Sequence, residues 1–318
     1  MTTDTTAGDT LADDYVLPFS TDRSRVLGRL VRLGPLADEI LKRQDYPAPA
    51  SEVLGQALAL TSMLGSTLKF DGSLIIQTST DGPLGLLVVN FEAPGRLRGY
   101  ASVDRDAIEA LSADKLDHAR LLGNGHMALT LDPGGSMDRY QGIVALEGAD
   151  LSVAANGYFR QSEQLPTFIR LAIARHHSGT SGDGDWHWRA GGIMVQYVSP
   201  IGGRPPGDED EVGNVAWLLG EHEEDWQRVS MLAETVEDHE LLDPTLPPER
   251  LLYRLFHEEG VRASSPVPLE SFCRCSRERV ETFLATFKGD DIHDLKDADG
   301  KVAITCEFCN SVYKFEAA

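Results

Sequence analysis

The chain has 318 residues and four cysteines, which stand in two tight pairs: Cys273 and Cys275 in "FCRC", Cys306 and Cys309 in "CEFC". Four thiolates arranged this way match a tetrahedral four-cysteine zinc site, each pair supplying one edge of the tetrahedron. Four protein sulfurs complete the coordination shell, so a hydrolytic centre, which needs an open position for water, is a poor reading. Two uses of such a site remain. The metal can simply hold a small domain together, or the thiolates can serve redox chemistry. A zinc-bound thiolate is already deprotonated, hence oxidisable if reached, and a neighbouring cysteine can trap a sulfenic acid as a disulfide.

The elements that must carry the four thiols lie in the tail, residues 266–318. "RERVETFLATF" places Val280, Phe283, Leu284 and Phe287 at helical spacing, and "KVAITCEFCNSVYKFE" reads as a β-hairpin with CEFC near its turn. Below about 70–80 residues a core rarely supplies more than roughly 3–5 kcal/mol, so a unit this small calls for a metal or disulfide staple. Structural zinc contributes on the order of 10–16 kcal/mol to the folding of small peptides. Losing it should unfold the tail.

The preceding chain falls into two parts. Residues 1–203 read as one mixed domain. The apolar positions Val26, Leu30, Leu33 and Leu36 suggest a first helix, and "EVLGQALALTSMLGSTLKF" a second that ends at Asp71-Gly72. "SLIIQTS", "LGLLVVNFE" and "LRGYASV" follow as strands of a meander, punctuated by Asp81-Gly82-Pro83 and Ala93-Pro94-Gly95. "MALTLD" and "QGIVALE" repeat the pattern. "LSVAANGYFRQSEQLPTFIRLAIA" is expected to be a helix interrupted at Pro166, and "GGIMVQYV" a further strand.

Residues 204–265 form a linker that opens in the Gly-, Pro- and acid-rich "GGRPPGDEDEVG". It continues into a helical stripe through Trp217, Leu218, Trp226, Val229 and Leu232, and into "PPERLLYRLFHEEG", which starts with proline where a first helical turn tolerates it. Such short charged helices are weak in water and must lean on something else. The whole is expected to be an α+β chain: a large N-terminal sheet-and-helix domain, an acidic helical linker and a small C-terminal zinc domain.

Charge and composition narrow the function classes. Fifty acidic against 29 basic residues give a net charge of −21, which repels phosphate backbones, so nucleic acid is not an expected partner. Residues 204 to 260 hold sixteen acids and four bases, 12 of the 21 excess negative charges. The first twenty residues have neither a basic start nor an apolar block, and no run of eighteen apolar residues occurs. No secretory leader or membrane partner is therefore expected, and the address is expected to be cytoplasmic. In that reducing compartment paired cysteines read as metal ligands or redox groups before structural disulfides.

Beyond the thiols, the sequence resembles the heat shock protein 33 family, the redox-switched holdase chaperones of bacteria. The resemblance is carried by "LKFDGSLIIQTSTDGPLGLLVVNF", "GRLRGYA", "LDPGG", "RYQGIVALEG" and "YFRQSEQLPT" in the first domain, and by "CRCSRERV" and "ITCEFCN" in the tail. It implies an ATP-independent chaperone, not an enzyme, that binds unfolding client proteins and prevents their aggregation under oxidative stress. It further implies one zinc per chain on Cys273, Cys275, Cys306 and Cys309 in an inactive reduced form. Peroxide with mild unfolding stress, or hypochlorite, would release the metal and form the disulfides Cys273–Cys275 and Cys306–Cys309. The resemblance also implies that the linker then becomes disordered and helps bind clients, and that the oxidised protein is a homodimer.

Other motifs carry less. "GNGHMA" fits a loose dinucleotide fingerprint but continues as an extended segment instead of a helix, so a turn is the better reading. "LKDADGKVAITC" half resembles a calcium loop, yet Leu295 and Cys306 occupy its first and last ligand positions. His176, His177 and His187 form no HExxH pair, His293 lies between cysteine pairs that already complete a site, and no GxSxG elbow is present. The acidic runs Asp208–Glu211 and Glu221–Asp225 read as solvated faces. Two rivals to a chaperone stay open: a thiol–disulfide oxidoreductase, although its CxxC belongs at a strand-to-helix junction, and a zinc-ribbon adaptor that binds only with its metal in place.

Overall fold

The computed structural model describes residues 13–111, 117–135, 137–178, 185–197, 223–286 and 301–316. Two antiparallel sheets enclose one central helix. The first sheet contains β1 (Tyr15–Thr21), β2 (Val26–Leu33), β8 (Thr167–Ser178) and β9 (Asp185–Tyr197); the second contains β3 (Ser73–Thr80), β4 (Leu86–Glu92), β5 (Arg96–Ser102), β6 (Asn124–Asp132) and β7 (Tyr140–Glu147). Between them lies α2 (Ala48–Gly65), whose residues from Val53 to Gly65 are buried except Gln56, as expected for a helix apolar on all sides. The core gathers Leu54, Leu58 and Met63 of α2 with Val31 and Met194 of one sheet and Ile76, Val89 and Leu97 of the other. Shorter helices, α1 (Pro35–Lys42), α3 (Arg105–Ala110), α4 (His118–Leu122) and α5 (Leu151–Tyr158), close the ends.

The meander is observed as β5-β4-β3, with β6 and β7 extending it in the same sheet. Two expectations are corrected. Val26–Leu33 is a strand, not a helix, because its alternate residues serve two interiors: Val31 and Leu33 face the central core, Val26 and Leu30 the opposite face. Val26, Leu30 and Leu33 satisfy a helical spacing by coincidence of that double burial. Likewise α5 passes into one π-helical turn, Phe159–Glu163, and after Pro166 the chain becomes β8.

The acidic helices lean on the outer face of the first sheet. They are α6 (Glu223–Glu234), α7 (Asp238–Leu242) and α8 (Pro248–Phe256). Val229, Ala233, Val236, Leu241, Leu251, Leu252, Leu255 and Phe256 pack on Leu17, Phe19, Val26, Leu30, Ile193, Val195 and Tyr197, and the Phe256 ring stacks on Phe19 with centroids 5.5 Å apart. Trp226 and Leu232 lie at the margin of this cluster, whereas Trp217, Leu218 and the run Asp208–Glu211 fall outside the described residues. At roughly 1.5–3 kcal/mol for each large apolar side chain buried, this packing outweighs the weak intrinsic propensity of helices 5 to 12 residues long.

Beyond α8 the chain stitches the two sheets together. β10 (Val261–Ala263) and β11 (Val267–Pro268) pair with β1, and β12 (Glu270–Ser271) runs parallel to β5. The approach is close: a Cβ on Gly95 would sit 2.0 Å from the Pro268 carbonyl oxygen, so only glycine fits there.

Candidate metal centre

β12 delivers the first thiol pair. The Phe272 N–H donates to the Leu97 carbonyl at 2.9 Å, holding the chain on the edge of β5 until the residue before Cys273. After Cys275, Ser276 caps α9 (Arg277–Leu284) by accepting from the Arg279 N–H at 3.3 Å. The CxC thus lies between a strand edge and a helix N-terminus, two fixed elements that force its bend.

The second pair sits in the loop of a hairpin formed by β13 (Lys301–Thr305) and β14 (Val312–Glu316). The Cys306 N–H donates to the Ser311 carbonyl at 2.9 Å, and the Asn310 N–H to the Cys306 carbonyl at 2.8 Å. Asn310 takes a left-handed conformation, φ 59°, which asparagine tolerates better than most residues. This loop folds Cys306 and Cys309 to the same side. Behind it the tail core consists of Leu284, Val302 and Phe315 with Val280, Ile304 and Tyr313 at its margin, while Phe283 is exposed. Phe287, His293 and Leu295 lie outside the described residues.

All four sulfurs come together within 4.8 Å of one another and all are half-buried. Cys273 Sγ lies 3.7 Å from Cys306 Sγ, and Cys275 Sγ 3.2 Å from Cys309 Sγ, so these contacts run crosswise between the pairs. All four cysteines are free thiols. A tetrahedral ion with metal–sulfur bonds of about 2.3 Å, as in zinc thiolates, spaces its sulfurs about 3.8 Å apart. The residues therefore fit a metal ion in number, donor chemistry and spacing. Burial, with the neighbouring thiols, pushes Cys275 up to about 12, and burial first of all raises Cys306. Burial opposes ionisation of Cys309 too, but hydrogen bonding from the Ser311 side chain and backbone brings it down to about 6. Tyr313 Oη donates to Cys275 Sγ at 3.2 Å. A divalent cation bound by the four sulfurs would favour the thiolate form of each.

The cluster is clamped to β4, β5 and the turn after α1 by the residues inside and beside each pair. Arg274 Nε donates to Glu92 Oε2 at 3.0 Å, and Arg96 lies over the Phe272 ring at 4.2 Å. Phe308 rests beside Tyr100 and under Arg98, while Gln44 donates to the Glu307 carbonyl at 2.8 Å and Asn310 to the Arg43 carbonyl at 3.0 Å. None of these partners was legible from the sequence, since Arg96, Arg98 and Tyr100 are informative only as an alternating row on β5.

Other sequence candidates do not assemble. His176 and His177 lie on β8, where the His177 ring meets Trp186, and His187 contacts the Asp38 carboxylate at 2.9 Å. "GNGHMA" runs from the C-cap of α4, Gly123, into β6, with no helix after it. Among the described residues, the four cysteines are the one cluster of histidine, cysteine and acidic groups with metal-binding spacing, and no helix is long and apolar enough to cross a membrane.

A two-sheet α+β domain, its outer face covered by acidic helices and its edge clamped to a four-thiol hairpin, defines a class of protein with known relatives. Residues 14–316 match the family model described as Hsp33 protein. A 33 kDa chaperonin of Caulobacter vibrioides is 40% identical over 306 residues, covering 96% of this chain and 95% of the relative. That of Vibrio cholerae is 34% identical over 293 residues, 92% and 89% of the two chains. The crystal structure of the 33 kDa chaperonin from Thermotoga maritima superposes with a TM-score of 0.73 at 20% identity, over 96% of this chain and 95% of that one, and shares the fold. The chain belongs to the Hsp33 family of chaperones.

Proposed function

We propose that this chaperone is a redox-regulated holdase: ATP-independent, without catalytic activity, cytoplasmic, inactive while reduced with one zinc on Cys273, Cys275, Cys306 and Cys309, and active once oxidised. Zinc supplies the charge that keeps four thiolates together and the tail folded. Its loss, as two equivalents of peroxide are reduced to water and the four thiolates close the disulfides Cys273–Cys275 and Cys306–Cys309, would leave Leu284, Val302 and Phe315 as the main tail core, too little to hold the unit.

The observation that carries this reading is the apolar outer face of the first sheet, covered by acidic helices whose continuation runs through β10, β11 and β12 directly into Cys273. Melting the tail removes the anchor at one end of that cover. The helices, marginal by themselves, would then leave Leu17, Phe19, Leu30, Ile193 and Val195 open to unfolding proteins. Two such faces can also meet, which accommodates a homodimer of the oxidised chain. A nucleic-acid partner is disfavoured by the charge of −21.

The test compares aggregation of a thermally unfolding client in the presence of reduced, zinc-loaded protein and of oxidised, zinc-free protein. Suppression by the oxidised form alone is expected. Suppression that requires zinc would favour the adaptor reading, and turnover of a disulfide substrate the oxidoreductase.

A further inference from the structure

Arg32 is 1% exposed, near the C-terminal end of β2 on the face that the acidic helices cover. It forms no ion pair among the described residues. Its guanidinium donates instead to three backbone carbonyls of the linker: Nη1 to Leu246 at 2.7 Å, Nη2 to Glu240 at 3.3 Å and Nε to Leu241 at 3.4 Å. Arg189 on β9 donates through Nε to the Leu242 carbonyl at 2.8 Å, its other nitrogens being held by the Asp13 carboxylate at 2.7 and 2.8 Å. Arg170 on β8 pairs with Asp238 at 2.9 Å. Three arginines from three neighbouring strands thus surround one short helix, α7: Arg32 and Arg189 satisfy carbonyls at its C-terminal end, where the helix dipole is negative, and Arg170 holds the Asp238 carboxylate at its start.

The backbone is shaped for this occupant as well. Gly191 stands opposite Arg32 in the β2–β9 register, and a Cβ there would come within 2.8 Å of the Leu241 carbonyl oxygen. Glycine lets the helix end settle between the arginines. Desolvation pulls the Arg32 pKa below its ordinary value, yet a guanidinium remains charged, so whatever covers this face must offer it acceptors.

That requirement outlasts the linker. If α7 leaves, an apolar face with Arg32, Arg170 and Arg189 set into it meets solvent, and among the described residues Asp13 is the one carboxylate of the first domain bonded to any of the three. A purely apolar segment that docked there would bury Arg32 unsatisfied, a penalty that rejects it. A segment that brings carboxylates or free helix C-terminal carbonyls would not meet that penalty. We propose that the uncovered face selects amphipathic, acid-bearing segments that mimic α7, making the linker an intramolecular placeholder for the partner it excludes. This rests on the redox-holdase reading, because the face is reached only after the linker leaves.

The test uses the full-length protein, reduced with zinc or oxidised without it, and two labelled peptides followed by fluorescence anisotropy. One copies residues 236–258; the other carries Asp238→Lys, Glu240→Lys and Asp243→Lys. The copy should bind the oxidised protein about tenfold more tightly than its lysine variant, and neither should bind the reduced protein well. The overall charge of −21 predicts the opposite preference, so the sign of the difference decides between local and global electrostatics. Arg170→Glu, at a partly exposed position, and Arg32→Met, which keeps the volume but removes the charge, should each shrink the preference to within about twofold. Equal binding of the two peptides, tighter binding of the lysine peptide, or a preference untouched by both substitutions overturns the proposal. Oxidised protein that fails to suppress client aggregation refutes the holdase reading instead, whichever peptide it prefers.

Discussion

The guanidinium of Arg98 lies 4.1 Å from the centre of the Phe308 ring, joining a strand of the first domain to the loop residue that immediately precedes Cys309. The contact places the four-cysteine cluster and its support in one mechanical unit. Anything that spreads the CEFC loop also lifts Phe308 off Arg98 and Tyr100. Phe308→Ala leaves the four thiols in place but removes this clamp, a contact worth about 0.5–2 kcal/mol. Zinc release followed with a chromogenic indicator should then need several-fold less oxidant, while affinity for zinc in the reduced protein stays nearly unchanged. An unaltered oxidant dose would show that the clamp does not restrain the switch.

A second expectation concerns the thiols themselves. Even the outer partners of a metal ligand are worth about 10–100-fold in affinity, so Cys306→Ser should weaken zinc binding by more than about 100-fold. Zinc content and competition with a chelator give the measurement. Full stoichiometry and affinity in the variant would reject the four-cysteine assignment.

Disulfide mapping offers a third. The reduced sulfur contacts run Cys273 to Cys306 and Cys275 to Cys309, across the pairs. The proposed disulfides lie within the pairs, so the sulfurs must exchange neighbours, which requires the tail to loosen before the bonds close. Oxidation under conditions that keep the tail folded should therefore be slow, and mild heating or denaturant should speed it. Peptide mapping that finds cross-pair bonds formed at an undiminished rate in the cold would count against this order of events.

Acid should loosen the linker by a defined route. Arg228 of α6 donates to Glu259 at 2.6 Å, and the Glu259 side chain is 1% exposed. Burial pushes the Glu259 pKa up, but hydrogen bonds from Arg228 and Ser24 and the arginine charge outweigh it and leave the carboxyl below its ordinary 4.5. A depressed carboxylate stabilises the folded state fully above the unfolded value and loses that contribution as pH falls through the folded one. Linker helicity should thus decline with a component below pH 4.5. Glu259→Gln should remove this component and lower stability at neutral pH by about 1.5 kcal/mol, because it takes one charged hydrogen-bond partner from a part-exposed Arg228 that keeps Asp225.

The tail and the helix at the centre were the most legible parts of the sequence. Their signals are local: cysteine spacing, an apolar helical run read from Glu52 up to Asp71-Gly72 and observed to end at Gly65, and a hairpin whose loop holds CEFC. The misread segments have double-sided burial in common. Val26–Leu33 and the first half of Thr167–Ser178, as far as Ile173, are packed on both faces, so the period-2 alternation that marks a half-exposed strand is blurred. The strands β10, β11 and β12 are two or three residues long and carry no periodicity at all. Arg32 was invisible for another reason: an arginine buried to hold another segment's carbonyls looks, in one dimension, like any surface cation.

The final prediction follows from where the linker helices obtain their stability. α6, α7 and α8 are held by an apolar face and by Arg32, Arg189 and Arg170, and they connect to the metal centre through strands of three residues or fewer. Amide exchange across residues 223–256 should be slow in the reduced, zinc-loaded protein and fast after oxidation. β3, β4 and β6 should stay protected in both states, since their core on α2 contains no residue of the tail beyond Leu269. The loss of protection should track zinc release in time. Exchange that is fast in the reduced protein would make the linker a permanent spacer and leave the outer face of the first sheet open throughout. Protection lost from β3, β4 and β6 together with the linker would mean that oxidation unfolds the whole protein, and regulated exposure of one face would be the wrong account.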